Sequence, residues 1–189
     1  MVKRLSVVFL LFALTTSAAY ADSLSLDFND YSAQLGYSHV INQDNYGTSL
    51  LNMRGLYNDD KDTKLGSIGF EFSGEPGNIP GLRFGIGGDI YGGHTDISQD
   101  LLALGVCGQV GYAPPTLGGL GFDGRICYAP KIFSLLDLER LLETYVGVNF
   151  AITPKIQVYA GYQNIKADFE HQRTTRIDEA VRVGFAAKF

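Results

Sequence analysis

The chain has 189 residues, of which 46% are hydrophobic, and its formal net charge is −5 at pH 7. This length allows one domain or one closed barrel, and the acidic balance argues against binding nucleic acid or anionic headgroups through a basic patch. Since no stretch reaches 18 consecutive apolar residues, the sequence predicts no transmembrane helix. The 23 glycines and 11 tyrosines indicate β-sheet and tight turns instead.

The first 21 residues have the features of a secretory signal peptide. Lys3 and Arg4 form a positive n-region, and residues 5–14 are mostly apolar but too few to span a bilayer as a helix. The A-Y-A sequence at positions 19–21 fits a cleavage site. We therefore predict an exported precursor whose mature chain begins at Asp22 and forms one barrel over residues 22–189. Its 13 basic and 20 acidic residues give a net charge of −7.

The mature sequence divides at turn signals into ten strand-like segments with alternating apolar and polar residues. The segments span residues 23–28, 31–40, 48–57, 65–72, 82–91, 101–112, 120–129, 142–152, 156–165 and 180–189. We predict an all-β fold, an antiparallel transmembrane β-barrel of ten strands with both chain ends in the periplasm. Eight strands is the alternative.

Each segment has one face that is nearly free of charge and another that is polar. We predict that the charged positions point into a lumen; they are Asp27, Arg54, Glu71, Arg83, Asp89, Asp123, Arg125, Arg182 and Lys188. Periodicity alone does not exclude a soluble β-sandwich. Three features favour the membrane barrel: links that alternate between short or proline-rich and long polar ones, many inward glycines, and a final strand that ends on Phe189.

Cys107 and Cys127 occupy inward positions of neighbouring segments. A hairpin folded about residue 117 places Cys107 opposite Cys127 and Gln109 opposite Arg125. Directly opposed Cβ atoms lie about 4.5–5.5 Å apart, close to the reach of a disulfide. We predict that bond in the oxidising periplasm, with a free thiol pair as the alternative. A metal site needs more ligands at metal spacing, so we predict no metal and no other cofactor.

The inward charges can line an ion path or pair within a filled lumen. Side chains can largely fill a barrel of eight to ten strands, and we expect Asp123 to pair with Arg125 and Arg83 with Asp89. The sequence therefore favours a barrel with a structural or interaction role, whose partner at the outer loops is unknown. A narrow channel for small polar solutes is the alternative.

The loops offer few signals of chemistry. The acidic stretch at residues 58–62 lacks the glycine and glutamate of a calcium loop and fits a solvated turn. His39, His94 and His171 are far apart in sequence. Asp96 and Ser98 follow His94, and a His/Ser/acid arrangement can activate a hydroxyl, but these residues are common in polar loops. We predict no enzymatic activity.

Residues 133–142 are rich in leucine. Ser134 and Asp137 have capping-box spacing, and the leucines cluster on one side of a helical projection. Two readings are open: a short amphipathic helix at the outer rim, resting on the membrane interface or on a partner, or an extension of two strands above the membrane.

Several stretches are similar to the YfaZ family of outer-membrane proteins. They are the Y-A-P-K sequence at 128–131, the T-P-K turn at 153–155 with V-Y-A-G-Y at 158–162, and the ending from Gly184 to Phe189. The resemblance implies a barrel in the outer membrane, surrounded by its lipid, and supplies no activity or active residues. The two cysteines and the leucine-rich segment do not belong to the family pattern.

The ending also resembles the signal read by the β-barrel assembly machinery. Its pattern is Arg182, Gly184, Ala187 and Phe189. An unpaired strand with this pattern can be captured by strand addition. We therefore predict that this machinery is a partner during insertion.

Overall fold

The structure is a computed structural model that describes residues 22–95, 100–136, 138–169 and 175–189. The predicted signal peptide lies outside these ranges. The described residues form strands joined by turns and two short 3-10 helices. The strands are β1 (Ser23–Phe28), β2 (Ser32–Gln43), β3 (Thr48–Asn58), β4 (Thr63–Gly74), β5 (Leu82–His94), β6 (Asp100–Tyr112), β7 (Leu120–Ala129), β8 (Ser134–Leu136), β9 (Leu138–Ala151), β10 (Ile156–Phe169) and β11 (Thr175–Lys188).

The strands close into one antiparallel barrel. Strand β1 pairs with both β2 and β11, and the pairing of β5 with β6 closes the ring. The three-residue strand β8 pairs with the part of β6 that β7 does not reach, so it does not add a member to the ring. The barrel therefore has ten strands, β1–β7 and β9–β11. The ten-strand prediction is confirmed, and the eight-strand and sandwich alternatives are wrong.

Both ends of the chain lie at one end of the barrel, here called the terminal end, where Ser23 pairs with Lys188. The opposite end is called the far end. At the far end the strands continue further than the sequence predicts. Strand β10 runs to Phe169 and β11 begins at Thr175, so most of the predicted loop 166–179 is a hairpin with one bulge at Ile165/Lys166. Polar side chains do not interrupt backbone pairing, and the predicted alternation of link lengths is therefore wrong.

The leucine-rich segment extends strands and is not a helix. Lys131–Phe133 form one 3-10 turn, and Ser134–Leu136 pair with β6, with Leu102 opposite Leu135. The Ser134 hydroxyl donates to the Pro130 carbonyl, at 3.1 Å, and Leu136 has a φ of 64°, a left-handed conformation that ends the strand. Asp137, the other member of the predicted capping box, lies outside the described residues.

The outer surface of the barrel is apolar. Its aromatic side chains lie towards both ends of the strands, as in the two girdles of membrane barrels. Exposed outward aromatics near the terminal end are Phe72, Phe84, Tyr112, Phe122, Phe150 and Phe185, and those near the far end are Tyr31, Tyr57, Tyr128 and Tyr162.

Within the described ranges, no helix is long and apolar enough to cross a membrane.

Candidate functional site

The lumen is the candidate site, because it collects the polar and charged residues of every strand in the ring. The structure places eight of the nine predicted lumen charges inside it. Arg54 lies on β3, Glu71 on β4, Arg83 and Asp89 on β5, Asp123 and Arg125 on β7, and Arg182 on β11. Asp27 on β1 joins them, whereas Lys188 is exposed at the end of β11.

Arg182 is the centre of one buried cluster and is only 2% exposed. Its guanidinium donates to Asp178 at 2.8 Å, to the Ser32 hydroxyl at 2.6 Å and to Asp27 at 3.3 Å. Asn58 also donates to Asp178, at 2.8 Å. A buried cation with two carboxylates and a hydroxyl has the partners that burial of charge requires.

Glu143 on β9 is the centre of a second cluster and is 1% exposed. The Arg54 guanidinium binds both of its carboxylate oxygens. The Tyr91 hydroxyl donates to one oxygen at 2.8 Å and the Gln163 amide to the other at 2.9 Å. The same amide approaches Gln34 at 3.4 Å, which joins this cluster to Asp27 because Gln34 also donates to Asp27.

The predicted pairing of charges within single strands is wrong. Arg125 reaches across β6 and donates to both oxygens of Asp89, at 2.9 Å each. Asp123 accepts a hydrogen bond from Asn149, and Glu71 accepts one from Gln109. Residues two apart on one strand face are about 7 Å apart, whereas a long arginine can span a neighbouring strand inside a narrow barrel.

Inward glycines make room for these side chains. A Cβ at Gly147 or Gly161 would collide with the Tyr145 ring, and a Cβ at Gly69 would collide with the Asp89 carboxylate. Glycine is needed here for space, because a side chain on the neighbouring strand lies over it.

A cavity of about 390 Å³ occupies the terminal half of the lumen. It extends from the two clusters, centred on Glu143 and on Arg182, to residues at the barrel mouth such as Ser23 and Ser73. Most of the side chains that line it are polar, and Val110 and Ala186 are among the apolar ones. The lining includes Ser25, Asp27, Gln34, Ser38, Arg83, Gln109, Asp123, Arg125, Tyr145, Asn149, Gln157, Tyr159 and Gln163.

Apolar side chains fill much of the far half of the lumen, beside the buried polar residues Ser32, Asn58, Thr63 and Asp178. The apolar side chains come from eight strands and form one buried cluster, each member at most 5% exposed. Its members are Leu56, Leu65, Tyr91, Leu101, Ala103, Cys107, Cys127, Ala129, Leu138, Leu141, Ile165, Ala167, Phe169 and Ile177. We call this cluster the apolar plug. It is the hydrophobic core of the described chain, and it lies inside the barrel.

The predicted disulfide is present in the plug. Cys107 pairs with Cys127 across β6 and β7, with the sulfur atoms 2.08 Å apart. Gln109 lies opposite Arg125, as the predicted register requires.

Sequence reasoning missed the plug and two of the central acids. Glu143 lies inside the predicted segment 142–152, on the same face as Tyr145, but is not among the predicted lumen charges. Asp178 lies in the predicted loop 166–179. Adjacent apolar pairs at the far strand ends were an available signal, since both faces of a strand are then apolar. Examples are Leu56-Tyr57, Leu101-Leu102 and Leu141-Leu142.

The described histidines pair with carboxylates near the strand ends. His94 contacts Asp100 at 2.8 Å, and His39 contacts Asp22 at 2.6 Å. His171, Asp96 and Ser98 lie outside the described residues. The acidic stretch at 58–62 forms a turn in which the Asn58 side chain accepts from the Lys61 amide, at 3.1 Å.

The two chain ends are held together at the terminal end. The Phe189 amide donates to the Asp22 carbonyl at 2.9 Å, and the Asp22 carboxylate accepts from the Tyr37 hydroxyl at 2.7 Å. Burial raises the pKa of Asp22, but the hydrogen bonds from Tyr37 and His39 outweigh it, so the pKa lies below its usual value.

Of the predicted assembly signal, Arg182 and Gly184 face the lumen and Phe189 is 64% exposed.

The chain belongs to the YfaZ precursor family, whose sequence model matches residues 1–189. No curated protein matches it in sequence. Similar solved structures include the KdgM porin, at 11% identity over 90% of this chain and 99% of that one, with a TM-score of 0.44. The outer membrane channel DcaP of Acinetobacter baumannii is 12% identical over 86% of this chain and 54% of its own, with a TM-score of 0.42. The translocator domain of the autotransporter NalP from Neisseria meningitidis is 13% identical over 99% of this chain and 94% of its own, with a TM-score of 0.31.

Proposed function

We propose that this YfaZ-family protein is an integral outer-membrane barrel that is closed to ions and serves a structural or interaction role. The observation that carries the proposal is the apolar plug, which fills much of the far half of the lumen with side chains that are at most 5% exposed. An ion that crossed this layer would exchange its hydration mainly for apolar side chains, which is unfavourable.

The outer surface supports the membrane location. Large apolar side chains such as Ile86, Val146 and Val181 are at least 60% exposed and point away from the barrel. Contiguous exposed apolar surface of this extent is rare on soluble monomers, and in lipid it is solvated. The position of both chain ends fits a terminal end in the periplasm.

The location is tested by a heat-modifiability gel on purified outer membranes. We expect an unboiled sample to migrate as a folded species and a boiled one as the unfolded chain, as for barrels of this class. A purified mature chain that stays monomeric in water without detergent would overturn the membrane proposal.

The closed state is tested by conductance in planar bilayers. We expect no steady current from the native barrel and a steady current from a variant with Leu141, Ile165 and Phe169 all replaced by alanine, because these changes thin the plug. A matched variant with alanine at the outward positions Val146, Val148 and Phe150 keeps the lumen intact and should remain closed.

A narrow channel for small polar solutes is the second candidate, favoured by the polar cavity of about 390 Å³. Because the terminal half is already open to water-sized groups, only the plug separates it from the far end. A steady open current from the native barrel would support this candidate and refute the closed one.

We propose that the barrel is not an enzyme. His94 is exposed, and its neighbour Asp100 is the partner that the structure shows for it. We expect His94→Ala to leave the lipid composition of the outer membrane unchanged, and an altered composition would contradict this.

We propose that the β-barrel assembly machinery inserts the chain by recognising its final strand. In the folded barrel β11 pairs on both sides, so recognition has to precede closure, when one edge of β11 is still unpaired. Deletion of Phe189 should reduce the amount of protein in the outer membrane. Unchanged levels, measured beside a Lys155→Gln control at the same end, would argue against this role.

A further inference from the structure

We propose that the polar cavity in the terminal half of the lumen binds a small, uncharged, polyhydroxylated solute, such as a monosaccharide or disaccharide. The solute enters from the terminal end. This inference concerns binding from one side only, so it holds whether or not the barrel conducts.

Several side chains that line the cavity have polar groups with no hydrogen bond to any described residue. They include the Tyr145 hydroxyl on β9, the Gln157 amide on β10, the Arg83 guanidinium on β5 and the buried Nε atoms of Arg125 and Arg182. Strands β5 and β10 lie on opposite sides of the ten-strand ring, so these groups face one space from opposite walls. Buried polar groups in proteins are nearly always paired, and groups left free around a cavity are available to a ligand.

The charges of the lining favour a neutral ligand. Arg54 is paired with Glu143, Arg182 with Asp27 and Asp178, and Arg125 with Asp89. The Arg83 guanidinium forms no such ion pair, but it and the Asp123 carboxylate both lie over Gly111, so the two opposite charges offset each other. A charged solute would therefore lose its hydration without a counter-charge reserved for it.

The alternating donors and acceptors of the lining suit hydroxyl groups. Each sugar hydroxyl donates one hydrogen bond and accepts two. The arginines and amides offer donors, the carboxylates Asp27 and Asp123 offer acceptors, and the Tyr145 and Tyr159 rings offer apolar faces. The volume of about 390 Å³ lies within the usual range of about 300–1,000 Å³ for small-molecule sites.

Inward glycines fix the shape of the cavity. The Tyr145 ring lies against Gly147 and Gly161 and would collide with a Cβ at either position. Any larger residue there would push the ring out of its place. The Tyr145 hydroxyl is therefore held in one position without a polar partner, as expected for a group that positions a ligand.

Isothermal titration of the folded barrel in detergent micelles tests the inference. Glucose and maltose are the neutral probes, and gluconate and glucosamine are the anionic and cationic ones. We expect saturable binding of at least one neutral probe and at least tenfold weaker binding of both charged probes. Tyr145→Phe and Gln157→Ala should each weaken the neutral probe about tenfold, because each leaves a ligand hydroxyl unpaired.

Tyr128→Phe is the matched control, because Tyr128 faces outward on β7, and it should bind as the native barrel does. Folding of every variant is verified by the heat-modifiability gel, and if one variant fails to fold the other carries the test. Binding of only a charged probe would overturn the proposed solute class. The absence of saturable heat from all four probes, or an equal loss in Tyr128→Phe, would overturn the site. Conductance is recorded separately, so either result leaves the proposal of a closed barrel to its own test.

Discussion

The two halves of the lumen bury their inward side chains in different ways. In the terminal half, the inward side chains are charged or polar, and the buried arginine has a carboxylate partner there, as Arg182 has Asp27. In the far half, most inward side chains are apolar and pack against one another around Leu141 and Ile165, beside the buried polar residues Ser32, Asn58 and Asp178. The comparison teaches that a barrel can have a hydrophobic core and a polar site within one lumen, because each layer satisfies its own side chains.

The largest loss of stability is expected when a buried ion pair of the lumen is broken. Arg182→Met leaves Asp27 and Asp178 buried without their cation, and removal of one partner of a buried pair costs about 3–5 kcal/mol. We expect a loss of that size in the free energy of unfolding, measured by urea titration in detergent. Lys155→Met at an exposed terminal-end turn is the control. A loss below about 1 kcal/mol would mean that water screens the cluster.

In the far half the expected loss comes from packing. Leu141→Ala removes a fully buried side chain from the plug, and such changes cost about 2–5 kcal/mol. Its neighbour Leu142 points outward, so Leu142→Ala should cost much less in the same urea titration. Equal losses at the two positions would refute the assignment of the plug to the lumen.

The outer surface gives a third contrast, between lipid and lumen. Val183 faces outward from the middle of β11, while Ala186 lines the cavity. Val183→Arg should cost about 2–4 kcal/mol if the residue meets the bilayer midplane, and Ala186→Arg should cost less because the arginine reaches the polar cavity. Unfolding in lipid vesicles measures both, and equal tolerance would contradict the orientation of the strand.

The smallest effect is expected where the chain ends meet. Because the pKa of Asp22 is lowered in the folded state, its carboxylate stabilises the fold above the unfolded value of about 3.9, and this contribution disappears as the pH falls through the folded pKa. Asp22→Asn should therefore lower the free energy of unfolding at pH 7 by less than about 1 kcal/mol, which appears as a small fall in Tm. At low pH the substitution should leave Tm unchanged. Thermal scans of both proteins at the two pH values measure this. A difference that persists at low pH would assign the effect to something other than the charge.

Particular residues show what the alternation of the sequence predicts correctly and what it does not. The outward positions of β11, from Val181 to Phe185, and the Cys107–Cys127 register follow from alternation and from one turn position, and both agree with the structure. Asp178 could not be found in this way. It lies in the predicted loop 166–179, where alternation weakens, and only pairing with the next strand shows that this segment is β-sheet. Glu143 lies within the predicted segment 142–152, and only its contacts with Arg54, Tyr91 and Gln163 show its central place.

The sequence by itself determined the fold class, the number of strands in the ring, which residues face outward and which cysteines meet. It could do so because strand alternation has a period of two and hairpin register is local. Only the tertiary structure decided which charges pair, that the far half is plugged, and that Tyr145, Gln157 and Arg83 share one cavity. Those contacts join strands that are distant in the chain, and closure of the ring sets their distances.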